Sequence, residues 1–154
     1  MLLYYPNKKP ESEILNAARA KLKSVSGKGA KNKLIHSDNL TVLKSLIDDY
    51  NLAGKVDLIY IDPPFATNGH FKIGAERANT ISSSDNDQIA YSDILLGADF
   101  LEFLRERLIL LRELMSDRGS IYLHIDYKIG HYVKLIMDEV FGIKNFRNDI
   151  TRIT

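Results

Sequence analysis

The sequence has no cysteine. That excludes a disulfide framework and any thiolate zinc site, and it suits a reducing cytoplasm, where we expect the protein to work. No apolar run approaches the ~18 to 20 residues of a membrane-spanning helix, so no membrane partner is expected. The opening MLLYYPNKKPESE lacks a basic stretch followed by an apolar one, and no signal peptide is read there. A phosphate-binding G-x-x-x-x-G-K-[ST] loop is missing as well. In SVSGKGAKNK, Gly29 follows Lys28 where Ser or Thr belongs, which argues against a nucleotide hydrolase even though an apolar strand ends in an aspartate. Net charge is nearly absent at +1, but it is unevenly spread. Residues 1–35 hold eight Lys or Arg (Lys8, Lys9, Arg19, Lys21, Lys23, Lys28, Lys31, Lys33) against Glu11 and Glu13, a surplus of +6 that leaves −5 on the remainder. A basic arm of this kind either tracks phosphates or is simply solvated.

What is present belongs to a globular protein: 154 residues, 45% hydrophobic and 27% charged, enough for one domain or a piece of a larger one. PESEILNAARAKLKSV (10–25) predicts a helix with Ile14, Ala18, Leu22 and Val25 on one face, and SGKGAKNK (26–33) a flexible basic linker. KLIHSDN predicts a short strand ending near Asp38, with His36 as an ordinary strand residue, and LTVLKSLIDDY predicts a helix. KVDLIYID is a second strand whose near-continuous apolar character suggests burial on both faces. ADFLEFLRERLILLRELMSDRG predicts the longest helix, closed by Gly119, GSIYLHID a third strand, and GHYVKLIMDEVFG a helix ending at Gly142. Arg147 to Thr154 reads as the start of a fourth strand.

Strands alternating with helices predict an α/β fold, a partial Rossmann-like open parallel sheet of three to four strands with flanking helices. We divide it into a basic helical arm and linker (1–31) and a main domain (32–154). Ligands of such sheets sit at the carboxyl ends of the strands. Asp38, Asp62 and Asp126 all fall on that rim, where each can bind a ligand or cap the following helix.

The stretch DLIYIDPPF, residues 57–65, is the most specific. The Asp62 carboxylate accepts hydrogen bonds and donates none, and Pro63 offers only its carbonyl. Two acceptors in fixed geometry match the two N–H donors of an exocyclic amino group on a nucleobase. Drawing on both hydrogens favours a pyramidal nitrogen whose lone pair is free to attack. Phe65 offers a flat face to the base, worth ~1–3 kcal/mol in other stacking sites. A base hidden in a duplex has to be swung out to reach such a clamp, at a cost of ~a few kcal/mol.

The Asp-Pro-Pro-Phe tetrapeptide after DLIYI resembles motif IV of the DNA amino-methyltransferases that use S-adenosylmethionine. NKLIHSDNLTVLKSL, LEFLRERLILLRELMSDRGSIYLHID and GHYVKLIMDEVFGIKNFRNDI extend the resemblance over roughly residues 32–150. In sequence and order they look like the amino-terminal part of the beta-class enzymes, the nearest type being the modification subunit of type III restriction-modification systems. The resemblance implies methyl transfer to the amino group of a flipped adenine in double-stranded DNA, without a metal. Asp62 and Pro63 would hold the amino group, Pro64 shape the turn, Phe65 stack, and Asp38 and Asp62 lie beside the cofactor. His124 and Asp126 fall in the matching HID segment, where a core or rim role is the simpler reading. A subunit partner of a restriction system, or an oligomer, is implied too.

Two features depart from the family. Ala66-Thr67-Asn68-Gly69 stands where members continue with Asn-Thr-Gly, and the glycine-rich F-x-G-x-G cofactor loop occurs nowhere in the sequence. The alternative reading is therefore a truncated, catalytically inactive fragment serving as a DNA-binding or subunit-interaction piece. A sheet cut short would leave an edge and apolar flanks unpaired, predicting association or aggregation. The polar stretch Ala66 to Gly97 is expected to be a long loop that closes over cofactor and base.

Overall fold

The computed structural model describes residues 2–23, 32–63, 70–73, 78–79, 88–92 and 98–151. At its centre lies helix α3 (Ala98–Leu114), which runs without a loop into strand β5 (Met115–Leu123). β5 pairs in parallel with β1 (Val56–Ile61), matching Leu58 with Ser120, Tyr60 with Tyr122 and Ile61 with Leu123. Helix α2 (Asn39–Asp48) lies on one side of α3 and helix α4 (Tyr127–Phe141) on the other, and the short α1 (Glu11–Leu15) also packs on α3. Three further strands, β2 (His70–Ile73), β3 (Ala78–Asn79) and β4 (Gln88–Ser92), form a separate antiparallel sheet in the order β3-β2-β4.

α3 is buried nearly all the way round. Phe100, Leu104, Leu108, Ile109 and Leu110 are at most 1% exposed, and Val133, Ile136 and Val140 of α4 close over them. Ile61, Ile121, Leu123 and Ile125 meet this cluster from the sheet. The period-2 alternation of a strand then turns Leu58, Tyr60 and Tyr122 to the opposite face, where they are exposed. The expectation of burial on both faces is thus corrected: only one face of the β1–β5 pair is covered among the described residues.

Charges buried on α3 are satisfied by the amino-terminal segment. Glu102 accepts from the Tyr5 hydroxyl (2.6 Å), from Arg105 Nε (2.9 Å) and from the Lys9 backbone N–H (3.0 Å). Lys8 pairs with Glu139 of α4 (2.7 Å) and Lys9 with Glu106. These contacts fasten residues 3–10 across α3 and α4, so two of the basic residues counted at the amino terminus are neutralised within the fold. Burial disfavours the Glu102 charge, but the hydrogen bonds from Arg105, Tyr5 and Lys9 outweigh it and hold the carboxyl below its ordinary range. Burial and the bond to Glu102 push the Tyr5 hydroxyl above its ordinary range.

Several sequence expectations change. The first helix stops at Leu15, because the Asn16 side chain donates to the Ser12 carbonyl (2.8 Å) and the chain leaves the helical path. Residues beyond it run against α2, where the Ala20 N–H donates to the Thr41 carbonyl (3.1 Å) and Ser45 Oγ to the Ala20 carbonyl (3.0 Å). Residues 33–38 pair with no strand among the described residues, and neither do residues 147–151. The parallel sheet accordingly has two strands there, not three to four. The long helix ends at Leu114, five residues before Gly119. Gly119 instead lies where the β1–β5 register shifts, and a Cβ on it would meet the Val56 carbonyl at 2.9 Å. The stretch 66–97, expected to be an unstructured loop, contains all three antiparallel strands. Gly142 does end α4, with φ +86° and its N–H on the Asp138 carbonyl (2.9 Å).

Candidate functional site

Both parallel strands finish at one rim. The ladder continues one step past β1 and β5, with the His124 N–H donating to the Ile61 carbonyl (2.8 Å), and Asp62 emerges directly after it. Asp62 is exposed and Pro63 is buried, so the chain turns inward at the first proline while the acid stays at the surface. No hydrogen bond or ion pair joins the Asp62 carboxylate to another described residue. Pro64 and Phe65, with Ala66 to Gly69, lie outside the described residues.

The helices converge on the same rim. The Gly54 and Lys55 N–H groups donate to the carbonyls of Glu113 (2.9 Å) and Leu114 (3.0 Å), so the ends of α2 and α3 meet at the base where β1 begins. α4 starts directly beyond β5. Arg112 Nη1 also donates to the Val140 carbonyl near the end of α4 (3.4 Å), so all three helices run toward the base, opposite to the strands.

Two of the three rim acids cap these helices. Asp38 is the amino-terminal cap of α2, its Oδ1 accepting from the Thr41 N–H (3.2 Å). Asp126 caps α4, accepting from the Lys128 N–H (2.7 Å). For Asp38 and Asp126 the capping alternative is the one the geometry displays. His36 is exposed in the unpaired segment before α2, and His124 is exposed at the end of β5.

Asp38 has a second partner that sequence reasoning missed. Oδ2 receives Nη2 of Arg107 (3.2 Å), a buried residue of α3. The same guanidinium donates from Nε to Asn39 Oδ1 (2.6 Å) and from Nη1 to the Phe103 carbonyl (2.9 Å), and it lies 3.5 Å over the Phe103 ring. A planar guanidinium in such a cage fixes both the carboxylate and the first turn of α2. The signal was in the sequence: Glu102, Arg105, Glu106 and Arg107 stand among the apolar residues of the longest helix, and charges buried there have to find partners. With one oxygen on a backbone N–H and the other on Arg107, the Asp38 carboxylate still has lone pairs for another donor, and its side chain is 56% exposed.

For the methyl donor that the sequence implies, the residues at hand fit in part. Exposed acceptors stand at the rim beside helix amino termini, but the sequence contains no glycine-rich loop to cradle the remainder. No group of three or more His, Asp or Glu able to hold a metal occurs among the described residues.

Comparison with known proteins places the chain in a family. A family model described as DNA methylase matches residues 56–153. The chain is 40% identical over 157 residues to the type II methyltransferase M.EcaI of Enterobacter cloacae, covering 97% of this chain and 32% of that protein. It is 30% identical over 154 residues to the Mod subunit of the type III restriction-modification enzyme EcoP15I of Escherichia coli, covering 92% of this chain and 24% of the subunit. It is 31% identical over 150 residues to the EcoPI Mod subunit of Escherichia phage P1, covering 89% of this chain and 23% of that subunit. The chain thus spans a third or less of the length of these curated relatives.

Proposed function

Because the chain belongs to the DNA methylase family, we propose that it carries the amine-gripping part of a site-specific DNA methyltransferase directed at adenine in a restriction-modification system. S-adenosylmethionine, when bound, supplies the methyl group as an electrophile. The chain's own residues prepare the nucleophile. The Asp62 carboxylate accepts one N–H of the target amino group and the Pro63 carbonyl accepts the other, which localises the nitrogen lone pair toward the donor. Phe65 stacks on the extruded base and Pro64 shapes the turn between clamp and ring. Transfer from the sulfonium, whose S–C bond would break and leave a neutral thioether, would require the amino nitrogen to give up one proton, and the Asp62 carboxylate is the group that would accept it. Asp38, held by Arg107, and Asp62 would help to hold S-adenosylmethionine. The other proposed partners are double-stranded DNA with a flipped target base and a second subunit of the restriction system, and the proposed location is the cytoplasm.

One observation supports this reading above the others: an exposed Asp62, followed by a buried proline, at the carboxyl end of a parallel strand in a DNA methylase chain. A second reading, a chain that binds DNA or a subunit without methylating, rests on the F-x-G-x-G pattern that the sequence does not contain. Labelled methyl transfer to double-stranded DNA separates the two. It is measured for the chain alone and for a chimera in which the chain replaces the matching third of the Enterobacter cloacae methyltransferase. Transfer to adenine by either protein supports the first reading; no transfer by either leaves the second.

A further inference from the structure

The two aspartates that cap α2 and α4 are built differently, and capping does not explain the difference. Asp126 caps α4 through the Lys128 N–H (2.7 Å), and its carboxylate has no further partner among the described residues. Asp38 caps α2 in the same way, through the Thr41 N–H, and its backbone carbonyl also accepts from the Thr41 hydroxyl (3.0 Å). Those bonds already secure the first turn of α2. Yet a buried arginine of α3 reaches the same carboxylate. Taking a guanidinium out of water is costly unless its donors find acceptors. Arg107 meets most of that need away from Asp38: Nε donates to Asn39 Oδ1, Nη1 donates to the Phe103 carbonyl and lies 3.5 Å from Glu106 Oε2, and the Phe103 ring backs the plane. The guanidinium is therefore fixed by its surroundings, and of the pair it is the 56% exposed carboxylate that gains order from the contact.

We propose that Arg107 is a positioning residue for the methyl donor. It acts through Asp38, whose carboxylate it holds in the orientation that accepts a hydrogen-bond donor of S-adenosylmethionine. With Oδ1 on the Thr41 N–H and Oδ2 on Arg107 Nη2, the carboxylate cannot rotate, and its remaining lone pairs point one way. A carboxylate only accepts, so what it takes from a ligand is an N–H or O–H. S-adenosylmethionine carries such groups in its ammonium and its ribose hydroxyls. A carboxylate ordered before the ligand arrives binds without the cost of ordering it then. The plainer role for Arg107 is a brace between α2 and α3, and the two roles separate in one respect. A positioning residue loses its effect on the cofactor once Asp38 is gone, whereas a brace keeps it. The proposal rests on the reading of Asp38 as part of the donor site and not on the transfer step.

Isothermal titration with S-adenosylmethionine is run on the 154-residue chain and on the Enterobacter cloacae chimera, and no turnover is read. Asp38→Asn keeps a capping oxygen for α2 and weakens binding about tenfold, the loss of a hydrogen bond to a charged group. Arg107→Leu weakens it about fivefold, and in the Asp38→Asn background the same substitution adds less than about twofold. Arg107→Lys keeps the charge but not the planar fork, so its affinity falls between those of the parent and Arg107→Leu. It carries the cycle if Arg107→Leu does not fold. Val140→Ala, a core truncation at the far end of α4, lowers stability and leaves binding unchanged. An arginine effect of equal size in the two backgrounds overturns the proposal in favour of the brace. Binding that Asp38→Asn or Arg107→Leu leaves intact overturns it as well, with the transfer reading untouched. If neither parent protein binds S-adenosylmethionine, the proposal falls together with the donor site. If the coupling is found but DNA receives no methyl group, the positioning role stands and the transfer reading fails.

Discussion

The two faces of the β1–β5 pair carry residues of similar apolar character and meet opposite fates. Ile61, Ile121 and Leu123 join the core around α3, a helix buried nearly all the way round, and Ile59 beside them is buried as well. Leu58, Tyr60 and Tyr122, interleaved with them residue by residue, stay in water. One face holds the fold together and the other contributes little to it. A strand sequence apolar on both sides therefore says that two covers are meant, but not that both are supplied by the described residues.

Mutations that contrast the faces should give unequal effects. The largest comes from the core: Phe100→Ala, at a side chain with no exposed surface, lowers the unfolding free energy by ~3–5 kcal/mol in denaturant titration. A smaller effect of ~1–3 kcal/mol is expected for Arg107→Leu, which leaves Asn39 and the Asp38 cap without their shared donor. Asp126→Ala removes only the α4 cap and costs ~0.5–2 kcal/mol. On the bare face, Tyr60→Ser shifts stability by less than ~0.5 kcal/mol, as for other exposed positions. A Tyr60→Ser cost as large as that of Phe100→Ala would erase the contrast between the faces.

Acid sharpens the same comparison through Glu102. Its folded pKa lies below the unfolded value, so its contribution to stability is present above the unfolded pKa and is lost as pH falls through the folded one. Thermal melts taken downward from about pH 6 therefore show a decline beginning below about pH 4.5, the ordinary carboxylate range. Glu102→Gln removes its share of that slope, whereas Tyr122→Phe on the bare face leaves the slope as it is.

Local signals made part of this fold legible. The apolar spacing of LTVLKSLIDDY marked α2, Gly142 marked the end of α4, and Asp38 and Asp126 marked helix starts. Tertiary contacts overrode local signals elsewhere. Ala17 to Lys23 has good helical propensity, yet Ala20 turns both its N–H and its carbonyl to α2. Gly119 looked like a helix stop because glycine serves that purpose so often, but its small size is needed where β5 passes the Val56 carbonyl. Of the candidate site, the rim position of Asp62 followed from strand and proline alone. The Arg107 cage did not, because it joins residues 68 and 69 positions apart in sequence and periodicity carries no such information.

The most direct test of the central claim compares two acids on one strand, Asp62 at the rim and Asp57 near the base, where Asp57 is exposed and bonded to Ser116 Oγ (2.6 Å) and to Arg118. Labelled methyl transfer to double-stranded DNA is measured in the Enterobacter cloacae chimera for Asp62→Ala and Asp57→Ala. The account predicts a loss of ~10²–10³-fold for Asp62→Ala, as for other preorganised groups that act on the reacting atom, with transfer retained in Asp57→Ala. Equal rates in the two variants would contradict it.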